Sequence, residues 1–298
     1  MEVKKSFYTT VSHRFDLQHV EDVACDLCGG EEYKALWAES GFSIRQCRAC
    51  SLVYVSPQPA AKEFARFYDG MYVDPTVEDS RARSLGYAER HISRLIQRKR
   101  PQGGKFLDIG CGYGRLLQEM EGLPWQCTGL ELSEAALEYA RAHSPGATFV
   151  QGSIEDCDFS EAKQDCIVMI GVLEHVKSPT KTLERVATWL NPGGLLLLQV
   201  PYIAPYIRLK RWIPLLPVNF EAPRHLFDFS PATMRRFLDQ TGYTDVELRV
   251  TPPYASPSAL STALIWGVKA VGFALYGLSG GHYIYPFTGA LLASTTRP

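Results

Sequence analysis

Four cysteines near the start of the chain, Cys25, Cys28, Cys47 and Cys50, stand as two C-x-x-C pairs separated by eighteen residues. Each pair brings two thiolates to one side of a tight turn. Two such pairs supply four sulfurs to a tetrahedral metal and leave no position for water. The spacing predicts a structural zinc site; iron would take the same sulfurs, and metal-free thiols or redox pairs are the alternatives. Residues 1–58 hold few large apolar side chains, so metal is expected to supply folding energy on the order of 10 kcal/mol that a small core lacks. Cys111, Cys127, Cys157 and Cys166 stand in no nucleophile signature and read as small buried hydrophobes.

A second group of residues suits a nucleoside. In PQGGKFLDIGCGYGRLLQEM, Lys105 to Ile109 reads as a buried parallel strand carrying Asp108 near its end. Gly110, Gly112 and Gly114 follow, and Arg115 to Met120 reads as a helix. Seventeen residues beyond Gly114 a second strand ends at Glu131, with Ser133 as N-cap of the next helix. An acid at the end of the second strand of such a unit is placed to accept hydrogen bonds from both hydroxyls of a ribose. A pyrophosphate prefers G-x-G-x-x-G and the positive end of a helix. Here the pattern is G-C-G-Y-G behind Asp108, and an acid there repels a pyrophosphate but suits an amino group.

The stretch FLDIGCGYGR resembles motif I of class I S-adenosylmethionine-dependent methyltransferases. Further stretches follow in that family's order. FVQGS (149–153) resembles the third strand and its adenine loop, and DCIVMIGVLEHV (165–176) the fourth strand and its substrate-facing turn. WLNPGGLLLLQVP (189–201) resembles a helix end, turn and fifth strand. SPATMRRFLDQTGY then resembles a helix, DVELRV the sixth strand, and GALLASTTRP the last, antiparallel one. CDLCGG and CRACSLVYVSP followed by FARFYDGMY resemble the members that act on small molecules and sugars and carry an N-terminal zinc-binding segment. The resemblance implies an α/β, Rossmann-like seven-stranded sheet that binds S-adenosyl-L-methionine. Asp108, Gly110, Cys111 and Gly112 would secure its methionine part, and Glu131 its ribose. Leu132 would lie on the adenine face, Gly152, Ser153 and Ile154 would line the adenine pocket, and Ile170 and Gly171 would face the sulfonium. Tyr68 and Tyr72 would reach cofactor or substrate from a linker helix, with plain helix packing as the alternative.

Methyl transfer to a hydroxyl or an enolisable carbon is helped by a base. Two histidines are placed for it: His175 in LEHV after the fourth strand, and His225 in APRHLFDFSP beyond the fifth. Related sugar C-methyltransferases carry a Glu-His pair before a similar turn. This chain has Arg224 at the Glu position, a departure that weakens C-methylation and offers a partner for a substrate phosphate or carboxylate.

The elements that must hold these groups fit 298 residues with 46% hydrophobic and 21% charged side chains. Residues 1–58 read as a zinc ribbon-like segment, 59–100 as a helical linker and 101–298 as the methyltransferase domain, with apolar insertions at about 202–227 and 252–286. In the first insertion Arg208, Lys210 and Arg211 stand beside Trp212, Ile213, Leu215 and Leu216. The second contains a twenty-residue apolar stretch centred on Lys269. A charge at mid-membrane costs a few kcal/mol, which disfavours a simple span. Peripheral membrane contact through 208–216 and 252–286 is expected, with a lid or a dimer interface as the alternative.

The first residues have no apolar core of signal-peptide length, so the expected place is the cytoplasm, at a membrane surface. A sugar, glycolipid or lipid-like intermediate is the expected acceptor. The competing expectation is an rRNA or tRNA methyltransferase that binds RNA through its zinc ribbon and the stripe HISRLIQRKR. A net charge of -1 and the apolar insertions disfavour nucleic acid. A cofactor-binding scaffold without catalysis is the third alternative.

Overall fold

The computed structural model describes residues 19–60, 89–210, 212–213, 218–251 and 290–298. Tyr68, Tyr72, most of the linker and the insertion at 252–286 lie outside the described residues.

Seven strands form the central sheet: β6 (Gly104–Ile109), β7 (Trp125–Glu131), β8 (Thr148–Gln151), β9 (Gln164–Ile170), β10 (Leu190–Pro201), β12 (Thr244–Thr251) and β13 (Ala290–Thr296). Their spatial order is β12-β13-β10-β9-β6-β7-β8. The five from β8 to β10 run parallel, and β13 lies antiparallel between β10 and β12. The N-P-G-G stretch, expected as a turn before the fifth strand, is drawn into β10 as an irregularity between Leu190 and Leu195. Because β6 pairs with β7 on one side and β9 on the other, the chain reverses its winding there. Ligands of open parallel sheets bind at such a switch point, beyond the carboxyl ends of the strands.

Alternation along the strands sends apolar side chains to two separate cores. Phe106, Val168, Leu195 and Leu197 face one, with Ile92, Leu95 and Ile96 of the helix over 89–99, α1 (Arg115–Met120) and α2 (Glu134–His143). The 92, 95, 96 spacing buries one stripe of that helix, while Arg90, Arg94 and Arg98 repeat every fourth residue on its exposed face. Leu107, Ile109, Leu196 and Leu198 face the other core, with α3 (Pro179–Trp189) and α5 (Pro231–Gln240). The helix starts are written locally: Ser133, Ser178 and Ser230 each accept a backbone N–H of the first turn, and Pro179 and Pro231 follow the last two.

The cysteine-bearing segment forms β1 (Val20–Glu21), β2 (Tyr33–Glu39), β3 (Phe42–Cys47), β4 (Val53–Val55) and β5 (Gln58–Pro59). The β2–β3 hairpin turns through Ser40 and Gly41, both at positive φ, the conformation a two-residue hairpin loop requires. The expectation of a small, self-contained core here is corrected. Phe42, Ile44, Leu52, Tyr54 and Val55 are fully buried and belong to the same cluster as Leu107 and Phe237. A two-residue strand from the second half of the chain, β11 (Phe227–Asp228), completes the segment's sheet in the order β11-β4-β3-β2. Within the insertion expected at 202–227 the chain forms α4 (Ala204–Lys210) before it reaches β11.

Candidate functional site

Asp108 sits one residue before the end of β6 and is 3% exposed. Gly110 follows at φ +70°, and a Cβ there would stand 2.5 Å from Val172 Cγ2, so only glycine lets the loop close against the turn after β9. The loop is anchored to β7 as well: the Gly110 and Cys111 N–H groups donate to the Leu130 carbonyl at 2.7 and 3.1 Å. Glu131 Oε2 accepts the Gly112 N–H at 3.0 Å, and Oε1 accepts those of Leu132 and Ser133 at 2.8 and 3.0 Å. The Gly152 N–H donates to the Glu131 carbonyl at 3.0 Å, which brings the loop after β8 to the same place. The Leu132 side chain is exposed, Ile154 is buried in the core, and the Ser153 hydroxyl donates to Asp156 at 2.7 Å. Ile170 ends β9, and the Gly171 N–H donates to the Gln199 carbonyl at 2.9 Å. The residues expected at the cofactor thus gather at the carboxyl ends of β6, β7, β8 and β9.

This crevice is acidic. Burial pushes the Asp108 carboxyl well above its ordinary range, and the charges that add to the push are those of Glu89 and Glu131. Burial also raises Glu131, against the N–H groups of Ser133, Gly112 and Leu132. Glu89, at the start of the helix over 89–99, lies just before the basic stretch HISRLIQRKR and was not marked in the sequence. Its Oε2 is buried with no hydrogen-bond partner among the described residues. The site fits a cationic, ribose-bearing ligand: Glu131 Oε2, which accepts one N–H, keeps accepting capacity, and three acids gather where a positive group would lie.

The two histidines come together, their ring centroids 4.8 Å apart. His175 Nδ1 is 2.8 Å from the Arg224 carbonyl, and His225 Nδ1 is 3.0 Å from the Phe220 carbonyl. A carbonyl only accepts, so in the neutral rings each Nδ1 carries the proton, and the Nε2 of His225 presents a lone pair. Burial lowers both, His175 to about 4 and His225 well below its usual value, with His175 and Arg224 adding to the push on His225. Glu174 Oε1 is 3.8 Å from His175 Nε2, and Glu221 Oε2 is 3.9 Å from His225 Nε2. Burial lifts the Glu174 carboxyl to about 8. Glu174, His175 and His225 bring ligand-type atoms within 4.8 Å of one another. The Arg224 guanidinium, however, acts on all three and already supplies positive charge there. Arg224, which offers a partner for a substrate anion, pairs with Glu221.

The four cysteine sulfurs also converge, all within 4.8 Å, with Cys25 to Cys50 at 3.4 Å and Cys28 to Cys47 at 3.5 Å. Zinc–sulfur bonds of about 2.3 Å place tetrahedral sulfurs about 3.8 Å apart, close to this spacing. The backbone N–H groups of Leu27 and Cys28 favour the thiolate form of Cys25, those of Ala49 and Cys50 that of Cys47, and that of Leu52 that of Cys50. Such donors stabilise thiolates around a metal. A Cβ on Gly30 would lie 3.3 and 3.5 Å from the Cys28 and Cys47 sulfurs, so the turn leaves the quartet room. The donor set and its surroundings fit zinc.

The methyltransferase domain family matches residues 81–248, more than half of the chain. The chain belongs to this methyltransferase family. Among curated relatives, the ubiquinone biosynthesis O-methyltransferase of Vibrio parahaemolyticus is 28% identical over 155 residues, which are 48% of this chain and 65% of that protein. The chain therefore spans just under two thirds of that relative's length. The protein of the same name from Xanthomonas axonopodis pv. citri is 30% identical over 185 residues, 57% of this chain and 76% of the relative.

Two solved structures share the fold. A chain from the complex of the Haloferax volcanii Trm112 methyltransferase activator with a methyltransferase superposes with a TM-score of 0.53 at 20% identity, covering 78% of this chain and 97% of that one. Phosphoethanolamine N-methyltransferase 2 of Haemonchus contortus, in complex with S-adenosyl-L-methionine, gives 0.52 at 19% identity, covering 83% and 63%. The seven-stranded sheet of this methyltransferase is thus the class I S-adenosylmethionine-dependent fold.

Three further acids of the methyltransferase went unmarked in the sequence. Glu174 stands inside the LEHV stretch that marked its neighbour His175. Asp228 is buried in β11, its Oδ1 accepting the Ile203 N–H at 3.1 Å. Asp26, within the first cysteine turn, accepts the Thr180 N–H at 2.9 Å and the Ser178 hydroxyl at 2.6 Å, capping α3 from across the molecule. An acid whose partner is a distant backbone N–H leaves no local pattern.

Proposed function

We propose that this methyltransferase passes a methyl group from S-adenosyl-L-methionine to a small-molecule acceptor, a sugar, glycolipid or lipid-like intermediate, by in-line displacement. The observation that carries the reading is the cluster of Asp108, Glu89 and Glu131 beneath the glycine loop, in which, among the described residues, the only charges acting on Asp108 are those of the other two acids. Asp108, Glu89 and the Gly110–Gly112 backbone would hold the methionine part, Glu131 the ribose, and Leu132 with the 152–154 loop the adenine. The cofactor supplies a methyl group already activated by its sulfonium. The protein's part is to orient the acceptor, exclude water and take a proton. His225 is the base in this reading, because its Nε2 lone pair is presented and its ring is held neutral by burial. Glu221, 3.9 Å from that nitrogen, would stabilise the charge the ring acquires. His175 shares the pocket and can replace it.

Cys25, Cys28, Cys47 and Cys50 are read as a structural zinc site, on the converging sulfurs and the backbone N–H groups that favour their thiolates. Contact with an anionic lipid surface on the cytoplasmic side is supported by Trp212, 86% exposed, and Ile213, 48% exposed, next to Arg208 and Lys210 at the end of α4. No helix among the described residues is long and apolar enough to cross a membrane.

The test is incubation of the full chain with methyl-labelled cofactor and a fractionated cell extract. Label in the water-soluble small-molecule or the solvent-extracted lipid fraction supports the acceptor class, and label confined to RNA overturns it. A chain that does not bind S-adenosylhomocysteine in calorimetry overturns the cofactor assignment.

A further inference from the structure

His225 is aimed by a loop that the methyltransferase sheet alone does not hold. The ring hangs on the Phe220 carbonyl, and the backbone around Phe220 is gripped by Glu39, the last residue of β2. Glu39 Oε2 accepts the Phe220 N–H at 2.9 Å and Oε1 accepts the Ala222 N–H at 3.0 Å. The Trp37 and Phe220 rings meet edge to face at 6.4 Å, a second grip from the same strand. β2 and β3 form the hairpin that joins the two cysteine turns, and β3 ends on Cys47 itself. On the other side of His225, the Leu226 carbonyl accepts the Val55 N–H at 2.8 Å, and the Leu226 N–H donates to the Glu174 carbonyl at 2.7 Å. The histidine loop is therefore laced between the cysteine-bearing segment and the turn that carries His175.

We propose that Glu39 is a positioning residue for His225, and that the cysteine-bearing segment serves the methyltransferase as a clamp building the acceptor-side pocket. A carboxylate holding two backbone N–H groups fixes the direction of the carbonyl between them, and that carbonyl fixes the tautomer and tilt of the imidazole. The groups facing His225 are His175, Glu174, Arg224 and Glu221. The role of the clamp rests on the reading of His225 as the base.

The experiment is nitrogen NMR of histidine side chains in the full-length, zinc-loaded chain, wild type against Glu39→Gln. His225→Gln assigns the signal, and His143, on α2 with its Nδ1 on the Tyr139 carbonyl, is the control for global change. Glu39→Gln keeps the shape of the side chain but turns a donor toward one of the two N–H groups. The expected result is a His225 that populates both tautomers and titrates about one pH unit or more closer to an ordinary histidine. His143, the zinc content and S-adenosylhomocysteine binding should not change. Glu39→Asp retains the charge and should fall between the two. Unchanged His225 tautomer and titration in a folded, zinc-loaded Glu39→Gln protein overturns the proposal. So does loss of folding or zinc in both variants, which makes Glu39 a residue of the fold alone. Failure of the wild-type chain to bind S-adenosylhomocysteine refutes the methyltransferase reading instead and leaves the histidine spectrum to report on the clamp.

Discussion

The Glu131 carboxylate accepts the Gly112 N–H at 3.0 Å, joining the end of one core strand to the apex of the glycine loop that follows its neighbour. Glu131 sets the loop, and in the proposed reading it does a second job, presenting an oxygen to a ribose.

Glu131→Ala should weaken S-adenosylhomocysteine binding by at least about tenfold, about 1.4 kcal/mol, because both jobs are lost. Glu131→Gln, which retains one accepting oxygen, should lose less. Isothermal titration measures both, and an unchanged affinity in Glu131→Ala removes the ribose assignment.

Metal analysis should find about one zinc per chain, and Cys47→Ser should abolish it. The segment's apolar residues share the main core, so loss of metal should reach the whole protein. A fall in melting temperature of about 10 °C or more is expected. A wild-type chain purified without zinc or iron defeats the assignment.

His225→Gln should slow methyl transfer about 10²–10⁴-fold while S-adenosylhomocysteine binds as before. Single-turnover rates with the acceptor found by labelling give the answer. If His175→Gln alone produces that loss, the roles of the two rings are reversed.

Stability should depend on pH through Glu174. Its carboxyl keeps its proton up to about 8 when folded, whereas the unfolded chain loses it near 4.5. Between those values the unfolded state binds fewer protons, so stability falls as pH rises, by up to about 1.4 kcal/mol per pH unit, and levels off above about 8. Asp228, raised by burial to about 7, acts in the same direction. His175, lowered to about 4 from 6.5, acts oppositely, because its contribution is lost as pH falls through that range. Above pH 6.5 the contribution of His175 is complete, while those of Glu174 and Asp228 are still being lost. Urea unfolding at pH 6.5 and 8 should show wild type losing stability, and Glu174→Gln losing less by about one proton's worth. Equal slopes would refute the buried-acid account.

Trp212→Ser should reduce co-sedimentation with vesicles containing phosphatidylglycerol, and wild-type binding should weaken in high salt. Equal sedimentation of the two proteins, or none of the wild type, removes the lipid contact.

Much of the sheet was legible because its strands carry their own punctuation. Asp108 and the glycines end β6, Glu131 and the Ser133 cap end β7, and Arg115–Met120 is the helix expected there. The histidines fell where the run before LEHV and the stretch after β10 put them. What stayed hidden are relations between distant segments. β11 has two residues, too few for a period, and its partner β4 lies far earlier in the chain. Glu39 shows its use only through N–H groups of residues 220 and 222, about 180 positions away. Glu89 was masked by the arginines around it, since charge along a helix does not say which residue turns inward. Residues 1–58 read as poor in core because only their own side chains are counted, when the part over 19–60 shares the core of the sheet beside it.

Of the seven strands, β13 is the last to be synthesised, yet it lies between β10 and β12 and not at an edge. A nascent chain that has emerged through β12 still has a gap in its interior, with two rows of backbone groups waiting for one ribbon. Completion of the sheet is thus a late, long-range event, and a shortened translation product would expose adhesive strand edges to chaperones and proteases.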